Sequence, residues 1–272
     1  MNMTNTAHVA DSSWTFDAQL PKVALVTGGA KRIGRELCLA LARAGFDVAV
    51  HYGRSRHEAA QLVQELQKCN VRACAVQADL SDVNAVAGLM SQVKQQLGTV
   101  GVLINNASVF EYDALTQPIP LNLELFEQHW RTNTFAPMVL SQQLFQQLSS
   151  DAHGVIVNLL DQKLYNPNPD FLSYTLSKAA LKEATVLAAQ ALAPRVRVVG
   201  IALGLSLPSG TQSVAAFNHV HQQTILNRGS TPHDVAQAML FAISAHSMTG
   251  TVLQIDGGQH LTPSARDVMF NQ

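Results

Sequence analysis

Between Lys22 and Thr27 the chain runs Val23-Ala24-Leu25-Val26, with none of the polar–apolar alternation of a strand that keeps one face in water. Such a run fits a strand buried on both faces, which requires helices above and below a parallel sheet. It breaks into Gly28-Gly29-Ala30-Lys31-Arg32-Ile33-Gly34, and a helical pattern follows through Ala44-Gly45. Strand, glycine-rich turn and helix, in that order, aim backbone N–H groups and the positive helix end at a phosphate.

The same unit recurs along the chain. Phe46 to Tyr52 reads as a second strand, Glu58 to Lys68 as a helix, and Val71 to Ala78 as a third strand. That strand closes on Asp79-Leu80-Ser81, where Ser81 or Asp79 is expected to cap a helix running to Leu97. Gly101 to Asn105 is a fourth strand, ending in Asn105-Asn106-Ala107-Ser108, and Val109 to Leu121, with its two prolines, is a loop. Leu123 to Leu148 reads as one long helix that carries Asn133, a mediocre helix former. Val155 to Leu160 is a fifth strand ending at Asp161, and the Asn166-Pro167-Asn168-Pro169 loop leads to a helix over Phe171 to Leu192. Arg197 to Leu203 is strand six, and the polar stretch 205–230 is expected to be a substrate lid. A helix capped by Thr231, with Pro232 at its first position, then precedes a last strand, Thr251 to Ile255. Strands alternating with helices predict an α/β fold: a single-domain, Rossmann-like, doubly wound parallel sheet flanked by helices over 21–265. Residues 1–20 and 266–272 are expected to be tails.

Composition sets limits on function. With 272 residues, 47% apolar and 14% charged, the chain can bury one large core. A net charge of −1 gives no electrostatic footprint for nucleic acid or an anionic membrane. Ten histidines lie without metal-ligand spacing, so no metal is expected. Three cysteines without CxxC spacing read as reduced residues, with Cys38 facing a helix interior. No apolar run approaches the roughly 18 residues of a membrane span, and the polar first twenty residues lack a signal peptide's pattern. A cytoplasmic protein is the expectation.

Two clusters carry chemistry. In Phe171-Leu172-Ser173-Tyr174-Thr175-Leu176-Ser177-Lys178 a helix places Tyr174 and Lys178 on one face. A nearby ammonium lowers a phenol's pKa and makes it a usable acid, although the same spacing also describes a surface pair. The second cluster lies at the end of strand two, which in a βαβ nucleotide unit meets the adenosine ribose. An acid there binds the 2′-hydroxyl of NAD, whereas arginine accommodates the 2′-phosphate of NADP. This chain has His51, Arg54 and Ser55 there, with Arg32 in the preceding loop, so NADPH is the expected cofactor.

Thr27-Gly28…Ile33-Gly34, Asn105-Asn106-Ala107, Asn133, Tyr174-x-x-x-Lys178 and Ile255-Asp256-Gly257-Gly258, in this order, resemble the short-chain dehydrogenase/reductase family from about Lys22 to Leu261. Within it the chain is most similar to the pteridine reductases. Lys31-Arg32 stand where most members have another glycine, and His51-Tyr52-Gly53-Arg54-Ser55 resembles that subgroup's NADPH-binding His-Tyr-His-Arg-Ser. Ser108-Val109-Phe110 follows the double Asn, where the subgroup stacks a Phe on the pterin. Asp161, thirteen positions before Tyr174, stands where most members have serine. The resemblance implies catalytic roles for Tyr174, Lys178, Asp161 and Asn133, the last holding a water that links Lys178 to solvent. It implies cofactor contacts from Gly28, Lys31, Arg32, Ile33, Gly34, His51, Tyr52, Arg54, Ser55, Asp79, Leu80, Asn106, Ala107, Ser108, Tyr174 and Lys178. Gly204 and Ser206 are added on the nicotinamide side, where Leu203-Gly204 replaces the usual Pro-Gly and Val199 the usual Asn. Substrate is expected against Ser108, Phe110, Asp161 and Tyr174, and a homotetramer built on the helices at Leu123–Leu148 and Phe171–Leu192.

Asp161 discriminates among substrates. A carboxylate cannot donate a hydrogen bond and repels the oxyanion of ketone reduction. It suits a small molecule with ring N–H groups, such as a pterin whose C=N bond is reduced. Its charge also opposes Lys178 and keeps Tyr174 protonated. Two other readings stay open: a carbonyl (keto or 3-oxoacyl) reductase of the same fold, and an NADPH-binding sensor without turnover.

Overall fold

The structure is a computed structural model that describes residues 14–208 and 214–270. β1 (Val23–Val26) is buried along its whole length and pairs in parallel with β2 (Asp47–Tyr52) on one side and β4 (Val102–Asn105) on the other. β3 (Ala73–Gln77) extends the sheet beyond β2, while β5 (Gly154–Asp161), β6 (Val196–Leu203) and β7 (Val252–Ile255) extend it beyond β4. The order is β3-β2-β1-β4-β5-β6-β7, all parallel. The chain therefore reverses its direction of growth between β1 and β4, and a crevice opens there at the carboxyl ends of the strands.

Helices fill both faces, as the doubly buried strands require. On one side α1 (Arg32–Arg43), α2 (Arg56–Gln67) and α8 (Pro232–Ser244) pack Leu37, Leu41, Leu62, Met239 and Ile243 against Val26, Val50 and Ile104. On the other, α3 (Val83–Leu97), α5 (Ala136–Gln147) and α6 (Leu172–Leu192) cover Leu25, Leu103 and Ile156 with Leu89, Leu140 and Leu144. Cys38 is fully buried in the first layer, as expected. No helix among the described residues is long and apolar enough to cross a membrane.

The structure departs from the sequence expectations in four places. The long helix over 123–148 is instead α4 (Leu123–Trp130), a π-helical turn at Arg131–Phe135 and α5. α3 is capped by Asp82, whose carboxylate accepts the Asn84 N–H, because Asp79 is occupied with the N–H and hydroxyl of Ser81. The stretch expected to be a lid contains α7 (Val214–Gln222), and its residues 209–213 lie outside the described ones. Both tails are shorter than expected. Phe16 packs edge-on to Phe46 at 5.0 Å and Leu20 is buried, since apolar side chains at these positions can reach the α1 layer. At the other end Asp267 is buried and Phe270 stacks on Phe171. Residues 1–13 lie outside the described part of the chain.

Candidate active site

The phosphate end is built around Gly28, whose φ of +61° is left-handed and suits glycine. Its N–H donates to His51 Nδ1 at 3.0 Å, and His51 Nε2–H donates to the Ala78 carbonyl at 3.0 Å. Burial pushes His51 down to about 4, so the ring is neutral. His51 ties the glycine loop to the ends of β2 and β3; contrary to the sequence expectation, it is no cation for a phosphate. From the other side Asn106 Nδ2 donates to the Thr27 and Gly28 carbonyls at 2.8 and 3.1 Å. A Cβ on Gly34 would run into the Gly28 carbonyl, so the first turn of α1 must approach the loop as glycine. Lys31, at the N-cap of α1, makes no side-chain cap hydrogen bond. The first-turn N–H groups of α1, those of Arg32, Ile33 and Gly34, have no acceptor within the helix, as at any helix N-terminus, which is the arrangement that receives an anion.

Beyond that loop lies a cleft of about 640 Å³ lined by Gly28, Arg54, Asp79, Leu80, Ala107 and Phe110. Its basic residues have unequal freedom. Lys31 pairs with Glu58 of α2 at 2.5 Å, and Arg32, at φ 54°, donates to the Pro208 carbonyl at 2.9 Å. Arg54 is exposed in the cleft wall, close enough to Asp79 to help hold that carboxyl below its usual range, after the hydrogen bonds from Ser81. Tyr52 ends β2 with its carbonyl accepting the Ala78 N–H at 3.2 Å. Ser55 stands at the N-cap of α2 with no side-chain cap hydrogen bond.

At the other end of the crevice β5 delivers Asp161 to Tyr174 of α6. The Tyr174 hydroxyl donates to Asp161 Oδ2 at 2.7 Å, and the Lys163 N–H donates to Asp161 Oδ1 at 2.8 Å. Lys178 Nζ donates to the Leu159 carbonyl at 2.8 Å and stands 5.9 Å from the centre of the Tyr174 ring. The ammonium is thus near the phenol but bonded elsewhere. Burial, then the charge of Asp161, holds the Tyr174 hydroxyl well above its ordinary value. This overturns the lowering expected from Lys178 and agrees with the alternative, in which Asp161 keeps the phenol protonated. Burial also raises Asp161, against the donors that favour its anion, and brings Lys178 down to about 8.

Asn133 lies in the π turn. Its Oδ1 accepts the Val109 N–H at 2.8 Å and the Ser108 hydroxyl at 3.2 Å, and its Nδ2 donates to the Val109 carbonyl and to Ser177 Oγ, each at 3.0 Å. The side chain is spent on clamping the loop after β4 to α6. Phe110, 36% exposed, stacks on Phe171 at 4.1 Å and meets Tyr174 edge-on at 4.7 Å, so the expected substrate-stacking ring stands beside the phenol. Gly204 packs on Asp256, and Ser206 is buried with its hydroxyl on the Gly204 carbonyl and Ser230 Oγ. That hydroxyl is directed into the protein, away from the contact expected of it.

Several side chains at this end carry no local sequence signal. Asp113 starts α6 from a distance: its carbonyl accepts the Leu172 N–H at 3.1 Å and its carboxylate the Ser173 N–H at 3.0 Å. Phe171, just before α6, is held at φ 55°, an uncommon conformation for an aromatic residue. His129 is fully buried, taking the Glu111 N–H on Nε2 at 3.2 Å and contacting Leu125 O and Ser173 Oγ through Nδ1, each at 2.9 Å. Only their distant partners mark these residues.

A family model described as short chain dehydrogenase matches residues 22–218. A 3-oxoacyl-[acyl-carrier-protein] reductase of Staphylococcus epidermidis is 30% identical over 249 residues, covering 88% of this chain and 99% of the relative. The crystal structure of FolM alternative dihydrofolate reductase 1 from Brucella suis in complex with NADP superposes with a TM-score of 0.85 at 38% identity, over 90% of this chain and 97% of that one. A 7α-hydroxysteroid dehydrogenase complexed with NADH and 7-oxo glycochenodeoxycholic acid gives 0.80 at 28% identity, over 90% and 98% of the two chains.

Proposed function

The chain belongs to the short-chain dehydrogenase family, whose members are oxidoreductases, and on that premise we propose that it is an NADPH-dependent reductase of a pteridine C=N bond. One observation carries the substrate class: the Asp161 carboxylate is bonded to the Tyr174 hydroxyl at 2.7 Å, where a ketone reductase needs a donor for its oxyanion. An acceptor beside the phenol favours a substrate presenting ring N–H. The likeness to FolM alternative dihydrofolate reductase 1 from Brucella suis, in complex with NADP, points the same way.

The residues present fit this cofactor. The helix end at Arg32–Gly34 lacks a side-chain cap and suits a pyrophosphate. Arg54, with Arg32 and Ser55, would receive the 2′-phosphate. Among the described residues Lys178 has one hydrogen-bond acceptor, the Leu159 carbonyl, which leaves two ammonium N–H groups for ribose hydroxyls. NADPH, when bound, supplies the hydride to the ring carbon. Tyr174, held protonated, gives its proton to the ring nitrogen as that bond is reduced. Asp161, itself raised, takes a replacement proton from water and passes it to Tyr174. Exposed Phe126, Trp130, Phe135 and Met138 along α4, the π turn and α5, and Leu176 and Leu187 on α6, support a homotetramer assembled on these helices.

NADPH consumption with dihydrobiopterin, dihydrofolate and a panel of ketones, on wild type and Asp161→Ser, tests the reading. Turnover of pterin by the wild type and its loss in Asp161→Ser are expected. Pterin turnover that survives the substitution undiminished would sink the role of Asp161. Likeness to 3-oxoacyl reductases favours a second reading, a carbonyl reductase, which predicts ketone turnover and little loss on Asp161→Ser. Equal use of NADH would show that Arg54 and Arg32 are only surface charge.

A further inference from the structure

One lysine faces the Tyr174–Asp161 pair with its backbone and the C-terminal segment with its side chain. The Lys163 N–H holds Asp161 Oδ1 at 2.8 Å, within the 3-10 turn that follows β5 (Gln162–Leu164). Its side chain is buried, with Nζ donating to Asp267 Oδ2 at 3.0 Å and Asn168 Oδ1 at 2.5 Å. Asp267 is itself fixed: its N–H donates to the buried Asp170 carboxylate at 2.7 Å, which also takes Arg266 Nε at 2.8 Å. Phe270, one turn on, packs against Tyr112 at 5.2 Å and stacks on Phe171. A buried ammonium is costly unless its geometry and partners are right, and here the partner comes from 104 residues away.

We propose that Lys163 and Asp267 are positioning residues for the proton donor. Through the Asp267 carboxylate on the Lys163 ammonium, the C-terminal segment fixes the turn that aims Asp161 at Tyr174 and sets the charge around that pair. The inference rests on the reading of Tyr174 and Asp161 as the proton-delivery centre. The groups facing Asp161 are Tyr174 and Lys178 from α6, Lys163 from its own turn and Asp267 from the C-terminal segment. Asp267 is the like charge and raises Asp161, while the Lys163 ammonium pairs with Asp267 itself at 3.0 Å. Deleting either charge leaves the other uncompensated, with opposite consequences.

Carboxyl ¹³C NMR titration of the full chain reads this directly, with the Asp161 resonance identified by its loss in Asp161→Asn. Asp267→Asn leaves a lone cation, so the Asp161 midpoint is expected to fall by about one pH unit, a tenfold change in proton affinity. Lys163→Met leaves a lone anion, so the midpoint is expected to rise by a similar amount. In turnover both variants are expected to lower kcat about tenfold with KM for NADPH unchanged, because the glycine loop is untouched. A pair that only stabilises the fold would give no shifts of opposite sign. Midpoints that stay put, or move together, overturn the proposal, and if one variant does not fold, the sign of the other's shift decides. The titration needs no substrate. Opposite shifts in a protein that turns over no pterin would therefore remove the substrate reading and leave the positioning pair standing.

Discussion

Tyr174 and Lys178 sit one helical turn apart, yet the structure gives them different work. The phenol is bonded to Asp161 and held protonated, so in the proposed reaction it gives a proton rather than takes one. Tyr174→Phe is expected to lower kcat by about 10²–10⁴-fold while NADPH binding, followed by its fluorescence, is retained. Unchanged turnover would remove Tyr174 from the reaction. Burial brings Lys178 down to about 8, so its charge is lost progressively as pH rises through that value. If its ammonium holds the cofactor ribose, kcat/KM for NADPH falls as pH rises through about 8, whereas a profile flat to pH 10 would contradict it. His51 gives the opposite limb, in stability. Its folded value, about 4, lies below the 6.5 of an unfolded chain, so the unfolded state binds the extra proton as pH falls. The contribution of neutral His51 is full above pH 6.5 and is lost between 6.5 and 4, amounting to about 2 kcal/mol by pH 5. Urea unfolding at pH 7 and pH 5 should show this loss in wild type and a smaller one in His51→Gln; equal losses would mean that His51 is not buried neutral.

The π turn at Arg131–Phe135 shows where sequence reading stops. A window of residues that favour helix predicts an unbroken helix, and Asn133 registers only as a weak helix former. The extra residue per turn is specified by what Asn133 reaches, namely both backbone groups of Val109 and the hydroxyls of Ser108 and Ser177. By contrast β1, the glycine loop and α1 were readable because their signals are local: unbroken apolar residues, then glycine where the backbone must turn and pack. Asp161 and Tyr174 were readable as neighbours only through their family-like spacing along the chain. Lys163 and Asp267, or His129 and Ser173, have no such spacing and meet only after folding. Asn133→Ala removes the clamp and leaves the Val109 N–H to find another acceptor. It is expected to cost about 2–3 kcal/mol of stability and to increase hydrogen exchange at Ser108–Phe110. Protection unchanged in that loop would assign its order to the aromatic stack with Phe171 instead.

The sheet places everything chemical at one edge, and the helices behind it place an apolar surface at another. Leu123, Trp130, Met138, Leu176 and Leu187 are 69, 44, 49, 48 and 57% exposed, on α4, α5 and α6, although α5 and α6 also carry core residues on their inner faces. Single exposed apolar side chains are ordinary, but several lie on neighbouring helices, where the proposed tetramer would bury them. α6 carries Tyr174 and Lys178 and the π turn between α4 and α5 carries Asn133, so docking on the outer faces of these helices would stiffen the elements that aim those side chains. For the proposed tetramer, light scattering coupled to size exclusion is expected to give four times the 29.3 kDa chain mass. Leu187→Glu, with Met138→Glu as a second probe on α5, should lower that mass by placing a charge in the buried contact. Both positions are exposed in the single chain, so circular dichroism should show each variant folded. A tetramer that survives both substitutions would place the interface on another face, and a wild-type monomer would leave these helices as plain surface.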